Sequence, residues 1–165
     1  MRRILMVTSF AVVLVAGIGF ASLKGTAAQQ PAAAKSDTLI LSGDMAIFLG
    51  PGKPENCTLK SRYKHGDPVG FRMSAIDPRT GHWIDEKTSE MVIHLSYAGQ
   101  TRDVKMRWRA TQTQPGLTFW VAKWIVPDDA PTGIVRYTVT AKDQHGRTGD
   151  WKPYDNDQSQ LTIVE

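Results

Sequence analysis

The sequence predicts an all-β protein, an antiparallel sandwich of seven or eight strands that follows an N-terminal signal or anchor segment. Apolar residues recur at every second position through most of the chain after residue 37, which is the period of a strand with one buried face. Turn motifs rich in glycine, proline and aspartate separate these runs. No stretch shows the sustained three-and-four spacing of an amphipathic helix.

The N-terminus has the three parts of an export signal. Arg2 and Arg3 come first, the apolar residues 4–23 follow, and small residues come after them. We therefore expect residues 1–28 to be a signal peptide. An uncleaved anchor through residues 4–23 is the alternative, because about 20 apolar residues also match the thickness of a bilayer. Either way, the sequence predicts a periplasmic or secreted protein, or one anchored in the inner membrane and facing the periplasm.

Residues 29–36 lack large apolar side chains, so the sequence predicts a linker there and a folded domain over residues 37–165. Residues 1–28 hold three of the chain's 20 basic residues and none of its 16 acidic ones. The remaining 17 basic and 16 acidic residues nearly balance. This balance gives no reason to expect nucleic acid as a partner.

The predicted strands follow from the alternation. Four runs alternate clearly between apolar and polar residues, and three shorter runs are further candidates. The run 117–126 is apolar on both faces and contains Trp120 and Trp124, so we expect it to be covered on both sides. The clear runs are 69–75, 91–97, 103–109 and 134–142, and the shorter ones are 39–41, 46–49 and 161–164.

Several of these motifs resemble the bacterial immunoglobulin-like and fibronectin-III-like domains. A turn at residues 127–133 leads into Tyr137-Thr138-Val139-Thr140-Ala141-Lys142-Asp143, and a glycine turn at Gly146 follows. Residues 66–72, with the turn at 77–81 after them, resemble the early central strand of the same class. The resemblance covers roughly residues 57–150 and implies an immunoglobulin-like sandwich, a fold that hosts many functions. Unlike antibody domains, this chain has no cysteine pair, and Tyr137 lies four residues after Gly133 rather than two.

The sequence contains no catalytic signature. The Gly-x-Ser-x-Gly motif of the common serine hydrolases is absent, and no family signature surrounds Cys57, the chain's one cysteine. A free cysteine is usually buried and inert, and we expect this for Cys57. We therefore expect a non-enzymatic protein without a cofactor.

Metal binding is an open alternative. Three of the four histidines, His65, His82 and His145, sit beside predicted turns, and His94 points outward from its strand. Loops at one end of a sandwich bring such residues together in some exported copper proteins, where histidine and methionine act as ligands. The sequence shows no metal-binding spacing, so solvated loop histidines are the competing interpretation.

A basic row and the tryptophans form the candidate partner surface. Lys105, Arg107 and Arg109 share one phase of a predicted strand, with Arg102 nearby. This row either protects an edge strand by its charge or docks an acidic partner. Trp120 and Trp124 complete the candidate surface, because exposed tryptophans mark recognition sites.

The sequence thus favours an exported protein-interaction module, an accessory subunit of an envelope complex with a protein partner. The first alternative is a periplasmic copper-binding protein that uses loop histidines. A weaker alternative is a carbohydrate-binding module that uses Trp83, Trp120, Trp124 or Trp151.

Overall fold

The computed structural model describes residues 37–110 and 118–165, and these residues are all-β, with no helix among them. The predicted segments 1–28 and 29–36 lie outside the described residues. No helix in the described ranges is long and apolar enough to cross a membrane. The strands are β1 (Ile40–Ile47), β2 (Arg62–Tyr63), β3 (Pro68–Ile76), β4 (Ser89–Tyr97), β5 (Gln100–Lys105), β6 (Arg107–Ala110), β7 (Thr118–Ile125), β8 (Gly133–Asp143), β9 (Thr148–Trp151) and β10 (Leu161–Ile163).

Two sheets form from these strands. The first has the order β1-β3-β7-β6 and is antiparallel throughout. The second has the order β2-β10-β8-β4-β5, with β9 also paired to β8, and only its β10–β2 pair is parallel. Ala98 and Gly99 form the two-residue hairpin between β4 and β5, and both have a positive φ, as this type of turn requires.

The buried faces of the two sheets share one core. Phe71 of β3 meets Tyr137 of β8 edge to face, with ring centroids 5.2 Å apart, and Tyr97 of β4 packs on Trp124 of β7 at 5.5 Å. The predicted inward phases are confirmed for β3, β4 and β8, whose alternate residues are fully buried. These are Val69, Phe71, Met73, Ala75, Met91, Ile93, Leu95, Val135, Tyr137, Val139 and Ala141.

Arg147 ties the loop after β3 to the hairpin between β8 and β9. Its guanidinium donates hydrogen bonds to Asp77 at 2.9 and 2.8 Å and to Asp143 at 2.7 Å. Hydrogen bonding between Arg147 and Asp77 raises the pKa of the arginine and lowers the pKa of this aspartate. Burial acts to raise the pKa of Asp143, but hydrogen bonds from Arg147 outweigh it and the pKa is lowered.

The strand pattern differs from the prediction at three places, so that ten strands are described instead of seven or eight. The two short runs near residues 39–49 form one strand, β1, while β2 and β9 had no clear alternation in sequence. The predicted strand over 103–109 is divided between β5 and β6, which belong to different sheets. The expectation that 117–126 is covered on both sides is wrong, because Ile125 is 48% exposed on the outer face of β7.

Candidate functional site

Residues 100–110 run along the side of the molecule where both sheets end. β5 is the last strand of the second sheet and β6 is the last strand of the first, within the described residues. Only Met106 separates the two strands, and its side chain is buried. Its amide donates to the carbonyl of Met91 at 2.9 Å, which fixes the crossing point. One continuous segment therefore supplies an edge strand to each sheet.

A groove of about 680 Å³ lies beside this edge. Three parts of the chain line it: the β5–β6 segment, the outer part of β7 and the loop 48–57. Four of the lining side chains are cationic and exposed, namely Lys105, Arg107, Arg109 and Lys123. We call these four residues the groove cations and the site the basic groove. Its volume falls in the range of pockets that hold ligands or short peptide segments.

The loop 48–57 is held over the first sheet by local packing and hydrogen bonds. The Phe48 ring covers Gly70, where a Cβ atom would lie 2.1 Å from the ring, so any side chain at position 70 would displace it. The Phe48 amide donates to the carbonyl of Pro68 at 3.0 Å. At the other end of the loop, the Cys57 amide donates to Ile47 at 2.8 Å. The loop thus forms a fixed wall of the basic groove.

Cys57 lies in this wall and is exposed, so the expectation of a buried thiol is wrong. Its φ of 67° is unusual for a residue other than glycine. The positive φ and the amide hydrogen bond to β1 turn the chain outward here, at a place where no strand period applies. Sequence alone offered no signal for this exposure.

The positive charge of the basic groove has no acidic partner among the described residues. Among the described residues, no groove cation forms an ion pair, and no aspartate or glutamate lines the groove. Residues 1–36 and 111–117 contain no aspartate or glutamate at all. Cations elsewhere do have acidic neighbours: Arg72 binds Asp44 through two hydrogen bonds.

The structure brings together three of the predicted surface residues and separates the others. Lys105, Arg107 and Arg109 line the basic groove, whereas Arg102 lines a neighbouring groove of about 590 Å³ that shares Lys105 and Lys123 with it. Sequence reasoning missed Lys123. Its signal was a lone charge at the outward phase of an otherwise apolar run.

Trp120 and Trp124 belong to the core, so their expected place on an exposed partner surface is wrong. They are 1% and 3% exposed, because their phase of β7 faces the second sheet. The indole of Trp120 donates to the carbonyl of Ile84 at 3.0 Å. The buried indole nitrogen of Trp124 has no hydrogen-bond partner in the described part of the chain.

The remaining tryptophans do not form a flat sugar-binding row. Trp83 is 52% exposed, whereas Trp108 and Trp151 are half-buried against the core. Trp108 packs on Trp120 with centroids 5.7 Å apart. Trp108 packs against the core, as its phase suggested, but it is only half-buried because β6 is the last strand of its sheet among the described residues.

The four histidines do not meet at one site. His65 donates to the carbonyl of Ala130 at 2.7 Å, and His94 lies between Asp103 and Thr140, at 2.7 and 2.9 Å. His82 and His145 line one pocket of about 180 Å³. Across residues 37–110 and 118–165, no group of three histidine, cysteine, aspartate or glutamate residues is arranged to hold a metal ion.

Comparisons with known proteins add no family to this geometry. No protein-family model matches the chain, and no curated protein matches it significantly. The assignment of a function therefore depends on the geometry and charge of the basic groove.

Proposed function

We propose that this protein is an exported, non-enzymatic interaction module with an immunoglobulin-like sandwich, whose basic groove binds an acidic segment of a protein partner in the cell envelope. One observation carries the proposal: four exposed cations line one groove without a carboxylate among its lining residues. Like charges about 7 Å apart repel by roughly 0.6 kcal/mol per pair in water. Carboxylates of a partner would relieve this repulsion.

Edge protection alone does not account for the groove cations. Charged side chains on edge strands prevent pairing with other chains, and this explains Lys105, Arg107 and Arg109. Lys123 lies on β7, an interior strand between β3 and β6, where no edge needs protection. The Lys123 side chain nevertheless lines the same groove. This favours a binding role for the whole set.

The test compares two triple variants that lose the same charge at different places. The groove variant is Lys105→Gln/Arg107→Gln/Arg109→Gln. The matched control is Arg136→Gln/Lys142→Gln/Lys152→Gln. These three cations lie outside the basic groove and have acidic neighbours. Glu90 is opposite Lys142 in the sheet, and Asp155 lines one pocket together with Arg136 and Lys152. The probe is a fluorescent oligoglutamate peptide, followed by anisotropy.

We expect the peptide to bind the wild-type chain with an affinity that falls as salt rises. Removing three exposed charges at about 0.5–1 kcal/mol each should weaken binding roughly 10- to 100-fold. The control variant should bind within about threefold of wild type, and both variants should unfold within about 0.5 kcal/mol per site of it. Equal weakening in both variants would mean attraction by net charge alone and would remove the groove as the site.

Export and the immunoglobulin-like fold belong to the same proposal. The Arg2-Arg3 start and the apolar residues 4–23 support export, and the two facing sheets of mainly antiparallel strands support the fold. Fusing residues 1–36 to a reporter that is active only outside the cytoplasm tests the export. A stable but silent fusion would contradict it.

A further inference from the structure

We infer that the acidic segment binds as an added β-strand on the open edge of β6, with carboxylates at alternate positions opposite Arg107 and Arg109 and apolar residues between them facing Trp108. This inference rests on the proposed function, because it specifies how Arg107 and Arg109, two of the groove cations, hold the acidic partner. It therefore predicts a sequence pattern for the partner: acidic and apolar residues in strict alternation.

Among the described residues, nothing pairs with the outer edge of β6. β6 is the last strand of the first sheet as described, and its one described partner is β7, through the register Arg107↔Val121 to Ala110↔Thr118. No other backbone hydrogen bond to β6 occurs within the described residues. Alternate residues of an edge strand direct their N–H and C=O groups away from the sheet, and such a row is a template for an extended peptide.

The side chains of β6 set the pattern that the added strand must have. Arg107 and Arg109 lie on one face, about 7 Å apart, and both are exposed. Trp108 lies on the other face and is half-buried against Trp120. Residues directly opposite in paired strands have Cβ atoms about 4.5–5.5 Å apart, close enough for each arginine to meet a carboxylate. An apolar residue between the two carboxylates would cover the exposed part of Trp108.

The other sheet edges suit an acidic strand less well. β5 ends the second sheet, but it carries Asp103, whose side chain is 62% exposed and would repel a carboxylate. β2 has only two residues. Next to β1, the Leu39 amide donates to the carbonyl of Thr148 at 2.9 Å, which bridges the two sheets on that side. Charge complementarity therefore selects β6.

The experiment uses a short peptide in which glutamate alternates with valine, and two isomers with N-methyl groups on alternate residues. One isomer has them on every glutamate and the other on every valine, so charge and composition are equal. In a strand, only one of the two sets directs its N–H groups toward β6. We expect one isomer to bind at least tenfold more weakly than the parent peptide and the other to bind within about threefold of it. Only one of the consecutive residues Trp108 and Arg109 directs its amide toward the free edge, and exchange of that amide should slow only with the peptides that bind.

A charge reversal separates side-chain pairing from general attraction. Arg107→Glu/Arg109→Glu should reduce binding of the glutamate–valine peptide at least tenfold and should allow a lysine–valine peptide to bind. If both N-methylated isomers bind as tightly as the parent, strand addition is wrong, while groove binding of acidic segments stands. If no acidic peptide binds the wild-type chain, the proposed function itself fails.

Discussion

Replacing Trp120 with alanine should destabilise the fold more than replacing Trp108, the tryptophan opposite it on β6. Trp120 is 1% exposed at the centre of the first sheet, and Trp108, its neighbour at 5.7 Å, is only half-buried. The two residues face each other across β6 and β7, where they are register partners. The pair therefore separates the contribution of burial from that of residue type.

The expected size follows from the burial. A buried tryptophan removes roughly 200 Å² from water, which is worth about 5 kcal/mol at ~25 cal/mol per Å², and alanine keeps only a small part of this. The carbonyl of Ile84 also loses the indole donor at 3.0 Å. We expect Trp120→Ala to cost about 3–5 kcal/mol. Trp108→Ala should cost about 1–2 kcal/mol, because Trp108 is only partly buried and removes less area from water than Trp120 does.

Guanidinium unfolding followed by far-UV circular dichroism measures both losses, since each variant changes the tryptophan fluorescence. The slope of the unfolding free energy with denaturant should match wild type, so that the midpoints report stability. A loss below about 1 kcal/mol for Trp120→Ala, or a larger loss for Trp108→Ala than for Trp120→Ala, would refute the assignment of Trp120 to the core and of Trp108 to its margin.

Three further predictions concern other sites. Asp77 and Asp143 have lowered pKa values, so the stability that their ionised forms contribute should be complete above about pH 4 and lost as pH falls through the lowered pKa values. Asp143→Asn should therefore make Tm fall less steeply with decreasing pH. An unchanged slope of Tm against pH would contradict this. Cys57 should react with a thiol reagent in the native protein at the rate of a free thiol, and Cys57→Ser should change stability by less than about 0.5 kcal/mol. Gly149→Ala should cost about 1–3 kcal/mol in denaturant unfolding, because a Cβ atom would lie 2.5 Å from the backbone oxygen of Leu39; a neutral effect would mean that β1 and β9 separate freely.

Sequence periodicity was sufficient where a strand has one buried face and one wet face. The alternation around Phe71, Ile93 and Val139 predicted three strands, and these three inward residues are 0% exposed. Periodicity predicts such strands because the two-residue period follows from the extended backbone itself and does not depend on contacts distant in sequence. The all-β class follows from the same local signal.

The same signal failed at the crossing between the sheets. Val104, Met106 and Trp108 keep the period of two, since the backbone remains extended while the chain passes from β5 to β6. Periodicity reports which face a residue has, but not which sheet its strand joins. The basic row was therefore found in sequence, while its distribution over two sheet edges was not.

Runs without a clear period were the other source of error. β7 is apolar on both phases, so the sequence did not distinguish the buried Trp124 from the exposed Ile125. The position of Cys57 depends on a loop with a positive φ and on a hydrogen bond to β1. Neither leaves a trace in residue type. Lys123 was the one residue of this apolar run whose type indicated which face of β7 is exposed.

Edge protection and strand addition need not exclude each other at β6. A second copy of this chain that approached edge to edge would place its own Arg107 and Arg109 against the same residues, and the like charges would repel. A neutral strand would leave the two guanidinium groups crowded and partly desolvated. Only an acidic strand converts the same charges into attraction. The same two guanidinium groups thus repel another copy of the chain and attract an acidic strand. Specificity of this kind arises from the repulsion as much as from the attraction.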